Sequence, residues 1–277
     1  MVWWYNRKMG INQIEAKSIL NKTGIPGLGY AINPYTGCTH GCVYCYACFM
    51  RRFTNHREPW GHFLDAKVNA REVLSRQLAR RREPIKEVVF LSSVTDPYQP
   101  AESIYKLTRG LLEVLLEYQI PVSILTKSDL VLRDIDLLRQ FNACSVGLSI
   151  MTTDQAIARR FEPRASSPMR RIQALRQLKE NNISTYAFIS PYLPRLSRIE
   201  QLLEALDGAI DEVGVETLNT KEASWRGVKR VLDECYPAFA PGYKELCKQG
   251  RYWQDIERRA RLLASQLTIE FTGLYRH

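Results

Sequence analysis

The most informative stretch of the chain is NPYTGCTHGCVYCYAC (33–48). In it, Cys38, Cys42 and Cys45 follow the spacing C-x3-C-x2-C, directly after the β-rich run GYAINPYT (29–36). Thiolates are ligands of zinc and of iron–sulfur clusters, and three cysteines leave one iron of a cubane cluster open. An open coordination position is what distinguishes a catalytic metal site from a closed structural one. The stretch therefore predicts a metal centre in a loop that follows the first strand of a sheet.

The spacing alone leaves the fourth ligand of this centre open. A zinc site could use His40 or Cys48 as its fourth ligand, and Cys48 could instead complete a four-cysteine electron-transfer cluster. The chain has seven cysteines, and their clustering favours metal ligation over disulfides. Cys144, Cys235 and Cys247 are distant in sequence and are interpreted as ordinary interior residues.

Outward from this stretch, short β-rich runs alternate with amphipathic helical patterns. The further strands are predicted at KEVVFLS (86–92), PVSILT (121–126), ACSVGLSI (143–150), ISTYAFIS (183–190) and DEVGVET (211–217). The helical faces are marked by Leu107, Leu111, Val114, Leu115 and Tyr118, by Ile172, Leu175 and Leu178, and by Ile199, Leu202, Leu203 and Leu206. This repetition of strand, helix and strand predicts right-handed βαβ units and a parallel sheet.

Polar residues end nearly every predicted strand. They are Ser92 and Ser93, Thr126 and Lys127, Ser149, Ser190 and Glu216. Because ligands of α/β barrels bind at the carboxyl ends of the strands, this pattern favours an open α/β barrel over a doubly wound sheet. We expect an N-terminal segment (1–28), a core barrel (29–220) and a C-terminal extension (221–277) packed on the core. The extension is helical and rich in aromatic residues, and its last run, LTIEFTGLY, predicts a final strand.

The composition is that of a soluble globular protein. Of 277 residues, 45% are hydrophobic and 25% charged, which excludes a disordered or collagen-like chain. No apolar run approaches the roughly 18 residues that a membrane span needs. The first residues contain no apolar signal-peptide core, so we expect a cytoplasmic protein without a membrane partner.

The net charge of +10 favours an anionic partner. Basic residues are concentrated in segments 51–86, 159–179 and 221–277, and the last of these interleaves them with aromatic residues. Basic surface with aromatic residues is typical of nucleic-acid binding, although exposed helix faces such as LARRRE (78–83) carry the same charges for solvation alone. The sequence does not specify an oligomeric state.

The cysteine motif, with an aromatic residue before its last cysteine, resembles the signature of the radical S-adenosylmethionine (radical SAM) superfamily. The longer string NPYTGCTHGCVYCYA resembles the branch related to spore photoproduct lyase, the DNA repair photolyase-like proteins. The similarity covers about residues 29–219. It continues through TDPYQPAE (95–102), LTK (125–127), GLSI (147–150), FEPRASSP (161–168) and ISP (189–191).

This resemblance implies a partial (β/α)6 TIM-like barrel of the radical SAM type. Cys38, Cys42 and Cys45 would ligate three irons of a [4Fe–4S] cluster, and SAM would chelate the fourth. An electron donor such as flavodoxin or ferredoxin would reduce the cluster, and SAM would be cleaved to a 5′-deoxyadenosyl radical that abstracts hydrogen from a substrate. The substrate is unidentified, with nucleic acid as one candidate. The alternative is a non-catalytic Fe–S or zinc protein that binds nucleic acid.

Several strand-end residues match family positions around SAM. Lys127 matches the lysine that pairs with the SAM carboxylate, a role that suits a point charge. Thr95 and Ser149 match hydroxyl positions that contact polar atoms of the cofactor. Ser190 matches a position whose backbone faces the adenine.

Other residues of the matching motifs have less defined roles. Tyr44 and Tyr46 match tyrosines associated with SAM contact and radical relay. Most relatives bind the SAM ammonium through a Gly-Gly-Glu string, where this chain has Thr95 and Asp96, so Asp96 is either an ammonium ligand or a turn residue. Glu162 and Arg164 serve the ribose or form a structural pair.

Two departures from the family pattern bear on the reaction. Relatives usually have a basic residue at the position of Cys48, and photoproduct lyases have a hydrogen-donating cysteine near the position of Ser93. A serine O–H bond is too strong to replace the S–H bond in that step. We therefore do not expect this chain to be a true spore photoproduct lyase.

Overall fold

The computed structural model describes residues 10–276, except for the side chain of Glu222. Part of the predicted N-terminal segment, residues 1–9, therefore lies outside the described residues, as does residue 277 of the extension. The strands are β1 (Ile11–Ile14), β2 (Leu20–Lys22), β3 (Tyr30–Ile32), β4 (Tyr35–Thr36), β5 (Leu64–Lys67), β6 (Val89–Leu91), β7 (Val122–Thr126), β8 (Cys144–Ser149), β9 (Ser184–Tyr192), β10 (Glu212–Thr217) and β11 (Glu270–Tyr275).

Helices connect most of these strands. The α-helices are α1 (Ala70–Ala79), α2 (Glu102–Tyr105), α3 (Leu107–Glu117), α4 (Ile135–Leu138), α5 (Gln155–Phe161), α6 (Pro168–Glu180), α7 (Ile199–Leu206), α8 (Glu222–Cys235), α9 (Tyr243–Leu246) and α10 (Gly250–Gln266). Two 3₁₀ helices cover Tyr46–Phe53 and Asp129–Asp134. The three helices predicted from apolar spacing correspond to α3, α6 and α7, and all three are confirmed.

The main sheet has the strand order β11-β10-β9-β8-β7-β6-β3-β2. Every neighbouring pair from β3 to β11 is parallel, and only β2 is antiparallel to its neighbour. The six strands predicted from the sequence are β3 and β6 to β10, in the expected order. The prediction of a partial (β/α)6 barrel is confirmed, and all six strands direct their carboxyl ends to one rim.

The alternation of buried and less buried positions explains why these segments form strands and helices. In β7, Val122, Ile124 and Thr126 are buried, while the residues between them are only partly so. In α3, the predicted apolar face buries Leu111 and Leu115 against the sheet core. Burial of such aliphatic side chains contributes roughly 1.5–3 kcal/mol each, which makes this core the main source of stability.

A second sheet, of three short strands in the order β1-β5-β4, was not predicted. Its central strand β5 pairs in parallel with β1 and antiparallel with β4. Strands of two to four residues carry too little alternation to be recognised from sequence. Because β4 leads directly into the cysteine motif, this sheet supports the start of the cysteine-containing loop.

The C-terminal region consists of α8, α9, α10 and β11. The predicted final strand is confirmed as β11, which extends the main sheet beside β10. Helix α10 packs on α7, where Arg259 pairs with Glu200. The division of the chain near residue 220 stays a prediction. Within residues 10–276, the structure contains no helix with the length and apolar character that a membrane crossing requires.

Candidate active site

The three cysteines of the motif lie on the loop formed by residues 37–45, which we call the cysteine loop. It begins after β4, at the carboxyl-terminal rim of the barrel, and ends where the 3₁₀ helix Tyr46–Phe53 begins. Cys38 and Cys42 are buried, Cys45 is partly buried, and all three are free thiols. The motif follows the first barrel strand β3, as predicted, but the predicted strand 29–36 is divided, and the loop begins directly after β4 of the second sheet.

Side chains from other segments fix the backbone of the cysteine loop. Gln99 accepts a hydrogen bond of 2.8 Å from the backbone N–H of Thr39, and the guanidinium of Arg164 donates to the carbonyl oxygens of Thr39 and Gly61. The hydroxyl of Thr95 donates to the carbonyl of Gly37. The loop is thus held from two distant segments of the chain, residues 95–99 and Arg164.

Close approaches at glycines add to this restraint. Gly41 and Gly61 both have positive φ angles, of 64° and 88°, and an added Cβ on either would lie within 2.7 Å of the Arg164 guanidinium. Helix α8 also approaches the cysteine loop closely, because a Cβ on Gly227 of α8 would lie 2.2 Å from the carbonyl oxygen of Val43. These glycines allow an arginine and a helix to contact the loop backbone directly.

The electrostatic environment of the thiols has two opposing components. Burial raises the pKa of Cys38 and Cys42, and it raises the pKa of Cys45 to about 11. The positive charge of Lys127 opposes this effect at Cys42 and Cys45. A metal centre would replace the thiol protons, so the raised values describe the unligated site.

The three free thiols of the cysteine loop are the donor set of an iron–sulfur cluster. Among residues 10–276, no three His, Cys, Asp or Glu side chains converge as ligands of one ion would. A cubane does not need such convergence, because each cysteine binds a different iron. The buried indole N–H of Trp60 faces Cys45 and lowers the pKa of its thiol, against the larger effect of burial. An N–H group in this position is available to a cluster-bound sulfur.

Lys127 follows β7 and extends across the rim toward the cysteine loop. Its Nζ donates a hydrogen bond of 2.8 Å to the hydroxyl of Ser149, and it lies 5.7 Å from the ring centroid of Tyr44. The hydroxyl of Ser149 in turn donates to the carbonyl of Ser190 over 3.0 Å. The fold therefore brings together four of the predicted site residues, from β7, β8, β9 and the cysteine loop.

A buried ion pair beneath Lys127 was not predicted. Glu162 pairs with Arg171 and accepts a hydrogen bond from the hydroxyl of Tyr44. Burial would raise the pKa of Glu162, but the charges of Arg171 and Lys127 outweigh it and lower that pKa. Burial, the charge of Glu162 and its hydrogen bond raise the pKa of Tyr44. Tyr44 is thus held as a neutral phenol whose orientation depends on this pair.

The sequence predicted that Glu162 and Arg164 either serve the ribose or form a structural pair, and the structure shows the partner of each. Glu162 pairs with Arg171 rather than with Arg164, and Arg164 contacts the backbone of the cysteine loop instead. The phenol of Tyr44 and the carboxylate of Glu162 are 118 residues apart in sequence. The high basic content of segment 159–179 was the only sequence signal that pointed toward Arg171.

Asp96 is buried, and the protein itself supplies its hydrogen bonds. Its carboxylate accepts from the hydroxyl of Thr126 at 2.6 Å and from the backbone N–H groups of Lys127 and Tyr98 at 2.8 and 2.9 Å. The imidazole of His40 lies 3.4 Å away. Burial alone would raise the pKa of Asp96, but His40 and these donors outweigh it and lower the pKa to about 2. Asp96 thereby joins the end of β7 to the cysteine loop.

Tyr46 and Ser93 meet at the rim. The Tyr46 side chain is 45% exposed, and its hydroxyl donates to the backbone carbonyl of Ser93. The hydroxyl of Ser93 accepts a hydrogen bond of 3.1 Å from Asn33. Ser190, whose hydroxyl contacts Glu216, completes this side of the rim. Tyr46 is therefore the predicted site residue with the most solvent access among those described here.

The remaining cysteines lie outside the cysteine loop in sequence, but Cys247 packs in the same apolar cluster as Cys42. Cys48 lies on the 3₁₀ helix, and Cys144 begins β8, at the end of the barrel opposite the rim. Cys235 ends α8, and Cys247 follows α9, where it packs in an apolar cluster. Cys247 is buried, as predicted for an interior residue, whereas Cys144 and Cys235 are only partly buried.

The aromatic residues of the C-terminal region pack against one another. Tyr243 and Trp253 are buried, and the ring of Trp225 stacks on that of Tyr243 at 6.5 Å. Tyr236 stacks between Phe161 and Phe239. The sequence allowed either nucleic-acid binding or solvated helix faces for segment 221–277, and the structure uses these rings for packing.

Comparisons with known proteins identify the family and the fold of this chain. A chain from Methanocaldococcus jannaschii, described as an uncharacterised protein, is 39% identical over 232 residues, which cover 84% of this chain and 86% of the relative. A relative from Pseudomonas phage M6, named radical SAM Nalpha-GlyT isomerase, is 26% identical and matches 75% of this chain and 42% of its own length.

A solved structure of a spore photoproduct lyase variant with bound AdoMet and dinucleoside spore photoproduct has a TM-score of 0.65 and 18% identity. It covers 99% of this chain and 83% of that protein. At this identity, the similarity supports the fold alone. The family model described as Radical SAM superfamily matches residues 32–207, well over half of the chain. The chain therefore belongs to the radical SAM superfamily of enzymes, and its cofactors are the [4Fe–4S] cluster and SAM of that family.

Proposed function

We propose that this radical SAM enzyme binds its cluster through Cys38, Cys42 and Cys45 and abstracts hydrogen from a nucleoside unit of a nucleic acid. The observation that carries the cofactor part is the position of Lys127. A lysine whose charge acts on Cys42 and Cys45, and which is hydrogen-bonded to Ser149, is suited to an anionic group bound beside the cysteine loop. When bound, the cluster and SAM supply one-electron chemistry for hydrogen abstraction.

Different residues at the rim contact different groups of SAM. Lys127 neutralises the carboxylate, and the hydroxyl of Ser149 and the backbone of Ser190 offer further polar contacts. Asp96 and Thr95 contribute mainly by holding the cysteine loop, because the Thr95 hydroxyl donates to the carbonyl of Gly37 and the Asp96 carboxylate lies 3.4 Å from the imidazole of His40. Tyr44 is positioned below Lys127 by the buried pair of Glu162 and Arg171.

The nucleic-acid part of the proposal has two supports. The net charge of +10 favours a polyanionic substrate. The solved neighbour with the same fold is a complex with a dinucleoside. The non-catalytic alternative finds no support, because the chain belongs to a family of enzymes. An electron donor such as flavodoxin or ferredoxin remains part of the proposal, since the family requires a reductant.

Transfer of deuterium tests the substrate class directly. The reconstituted, dithionite-reduced protein would be incubated anaerobically with SAM and a single-stranded oligonucleotide built from deuterated nucleosides. We expect deuterium in the 5′-deoxyadenosine, detected by mass spectrometry, and none with an unlabelled oligonucleotide. Cleavage of SAM without deuterium transfer from either DNA or RNA would contradict a nucleic-acid substrate and leave the radical SAM assignment intact.

A second assay, with dinucleotide spore photoproduct as the substrate, addresses the relation to spore photoproduct lyase. Ser93 occupies the rim where that enzyme's hydrogen-donating cysteine is expected, and Asn33 binds its hydroxyl. We expect no multiple-turnover conversion of dinucleotide spore photoproduct to thymidylyl-thymidine. Repair activity in chromatography would overturn this expectation and make Cys48 the first candidate for the donor.

A further inference from the structure

The 3₁₀ helix that follows the cysteine loop carries an exposed group of aromatic and basic side chains. We call Phe49, Arg51, Arg52 and Phe53 the aromatic ledge. The guanidinium carbon of Arg52 lies 5.2 Å from the ring centroid of Phe49 and 5.1 Å from that of Phe53. The two rings meet edge to face, with centroids 6.4 Å apart. Arg52 therefore orders both rings at the surface of the protein.

The exposure of these rings is unusual for this chain. Phe53 is 67% exposed, the largest exposed fraction among the large apolar side chains of the described residues. Tyr46, Phe49 and Phe53 are three of the nine exposed large apolar side chains in that part of the chain, and all three lie within eight residues. Only Ala47 of this helix is buried. Single exposed apolar residues need no explanation, but a cluster beside an active site indicates a binding surface.

The charge of the ledge indicates an anionic partner. Segment 43–57 contains three arginines and no aspartate or glutamate. Aromatic rings that alternate with guanidinium groups are the pairing with which proteins bind nucleobases and phosphates together. In the C-terminal region several rings stack on one another, although Lys244 and Arg261 contact the rings of Trp225 and Phe271 there.

The ledge is also continuous with the rim. Tyr46, the first residue of the helix, donates its hydroxyl hydrogen bond to the carbonyl of Ser93 at the carboxyl ends of the strands. For a polymer whose reacting unit enters the barrel beside Tyr46, Phe49 and Phe53 are adjacent surface on the same 3₁₀ helix. This continuity favours the substrate over a separate protein as the occupant.

We propose that the aromatic ledge binds unpaired nucleotides that flank the nucleotide entering the barrel. The bases stack on Phe49 and Phe53, and the phosphates pair with Arg51 and Arg52. Bases in a duplex have no free faces, so the ledge selects single-stranded nucleic acid. This inference rests on the proposed nucleic-acid substrate and adds a site outside the barrel.

Fluorescence anisotropy with a short labelled single strand, as DNA and as RNA, tests the proposal on the cluster-containing enzyme. We expect Phe49→Ala/Phe53→Ala to weaken binding about tenfold or more. Arg51→Gln/Arg52→Gln should weaken binding and reduce the slope of log affinity against log salt by about 1.4. Both variants should retain the cluster absorbance and the basal SAM cleavage of the wild type.

Matched controls remove the same groups at the opposite end of the barrel. Arg80→Gln/Arg82→Gln changes two exposed arginines that follow α1, and Tyr118→Ala removes a ring that is 50% exposed at the end of α3. Each control should keep the affinity within about twofold of the wild type. A ledge variant that binds like its control overturns the inference.

The outcomes separate this inference from the proposed function. Binding by the wild type together with unchanged binding by the ledge variants overturns the ledge alone. No binding of either strand by the wild type overturns the nucleic-acid substrate as well. Tighter binding of a duplex contradicts selection of single strands. Slower reduction of the cluster by flavodoxin, with oligonucleotide affinity unchanged, would identify the ledge as a docking site for an acidic protein and overturn the inference.

Discussion

The cysteine loop and the 3₁₀ helix that follows it are adjacent in sequence but are held very differently. Residues 37–45 are fixed by Gln99, Arg164 and the close approach of Gly227, and two of the three cysteines are buried. Residues 46–53 bury only Ala47 and expose two phenylalanines and two arginines. The protein thus passes within one residue from a rigid segment to an accessible one.

This difference supports the proposal that the cysteine loop binds the cofactor and that the 3₁₀ helix binds the substrate. A cluster that must present an open iron to SAM needs ligands whose positions are fixed before the cofactor binds. A surface that meets a polymer of variable sequence needs accessible rings and charges instead. Substitutions in the two segments should therefore have different consequences. Those in residues 37–45 should cause loss of the cofactor, and those in residues 46–53 should cause loss of substrate affinity.

The largest effect is expected from the cysteines themselves. Cys38→Ala, Cys42→Ala and Cys45→Ala should each abolish the cluster and SAM cleavage, because each removes the ligand of one iron. Cys48→Ala, on the 3₁₀ helix, should leave both largely intact. Iron and sulfide content, the visible absorbance of the cluster and the yield of 5′-deoxyadenosine measure the outcome. Loss of the cluster in Cys48→Ala would indicate a closed site with four cysteine ligands.

A second comparison uses one arginine from each side. Arg164→Ala removes a guanidinium that binds the carbonyl oxygens of Thr39 and Gly61, and should lower the free energy of unfolding by about 3 kcal/mol. Arg52→Ala removes an exposed guanidinium and should change the free energy of unfolding by at most about 0.5 kcal/mol. Anaerobic urea denaturation of the two variants measures this difference. Equal stabilities would show that Arg164 does not fix the loop.

The third effect is specific to the cofactor. Lys127→Met should weaken SAM binding about tenfold to a hundredfold, because a charge-assisted contact contributes roughly 1.5–3 kcal/mol. The cluster should still form, since Lys127 is not one of its ligands. Lys86→Met, an exposed lysine before β6, is the matched control. Equilibrium dialysis with labelled SAM gives the dissociation constants, and an unchanged value for Lys127→Met would remove it from the site.

Local sequence patterns predicted the parts of this molecule that depend on local spacing. The six core strands, three connecting helices and the position of the cysteines follow from apolar periodicity and from one motif. The pairing of Tyr44 with Glu162 and Arg171 could not be predicted, because it joins segments that only the barrel brings together. Similarly, the sequence shows that segment 221–277 is aromatic, but not that its rings are stacked inward.

The smallest effect concerns the contact between α8 and the cysteine loop. In the interior of a helix, Gly→Ala usually stabilises a protein by about 0.5–1 kcal/mol. Gly110 in α3 should behave in this way, since an added Cβ would lie 3.6 Å from Arg71, an ordinary contact. At Gly227 the same methyl group would lie 2.2 Å from the backbone carbonyl of Val43, so helix and loop must separate.

We therefore expect Gly110→Ala to raise the free energy of unfolding. Gly227→Ala should lower the free energy of unfolding by about 1–2 kcal/mol. Gly227→Ala should also reduce the iron content after reconstitution, whereas Gly110→Ala should not. If both variants were stabilised alike, α8 would not be one of the elements that hold the cysteine loop.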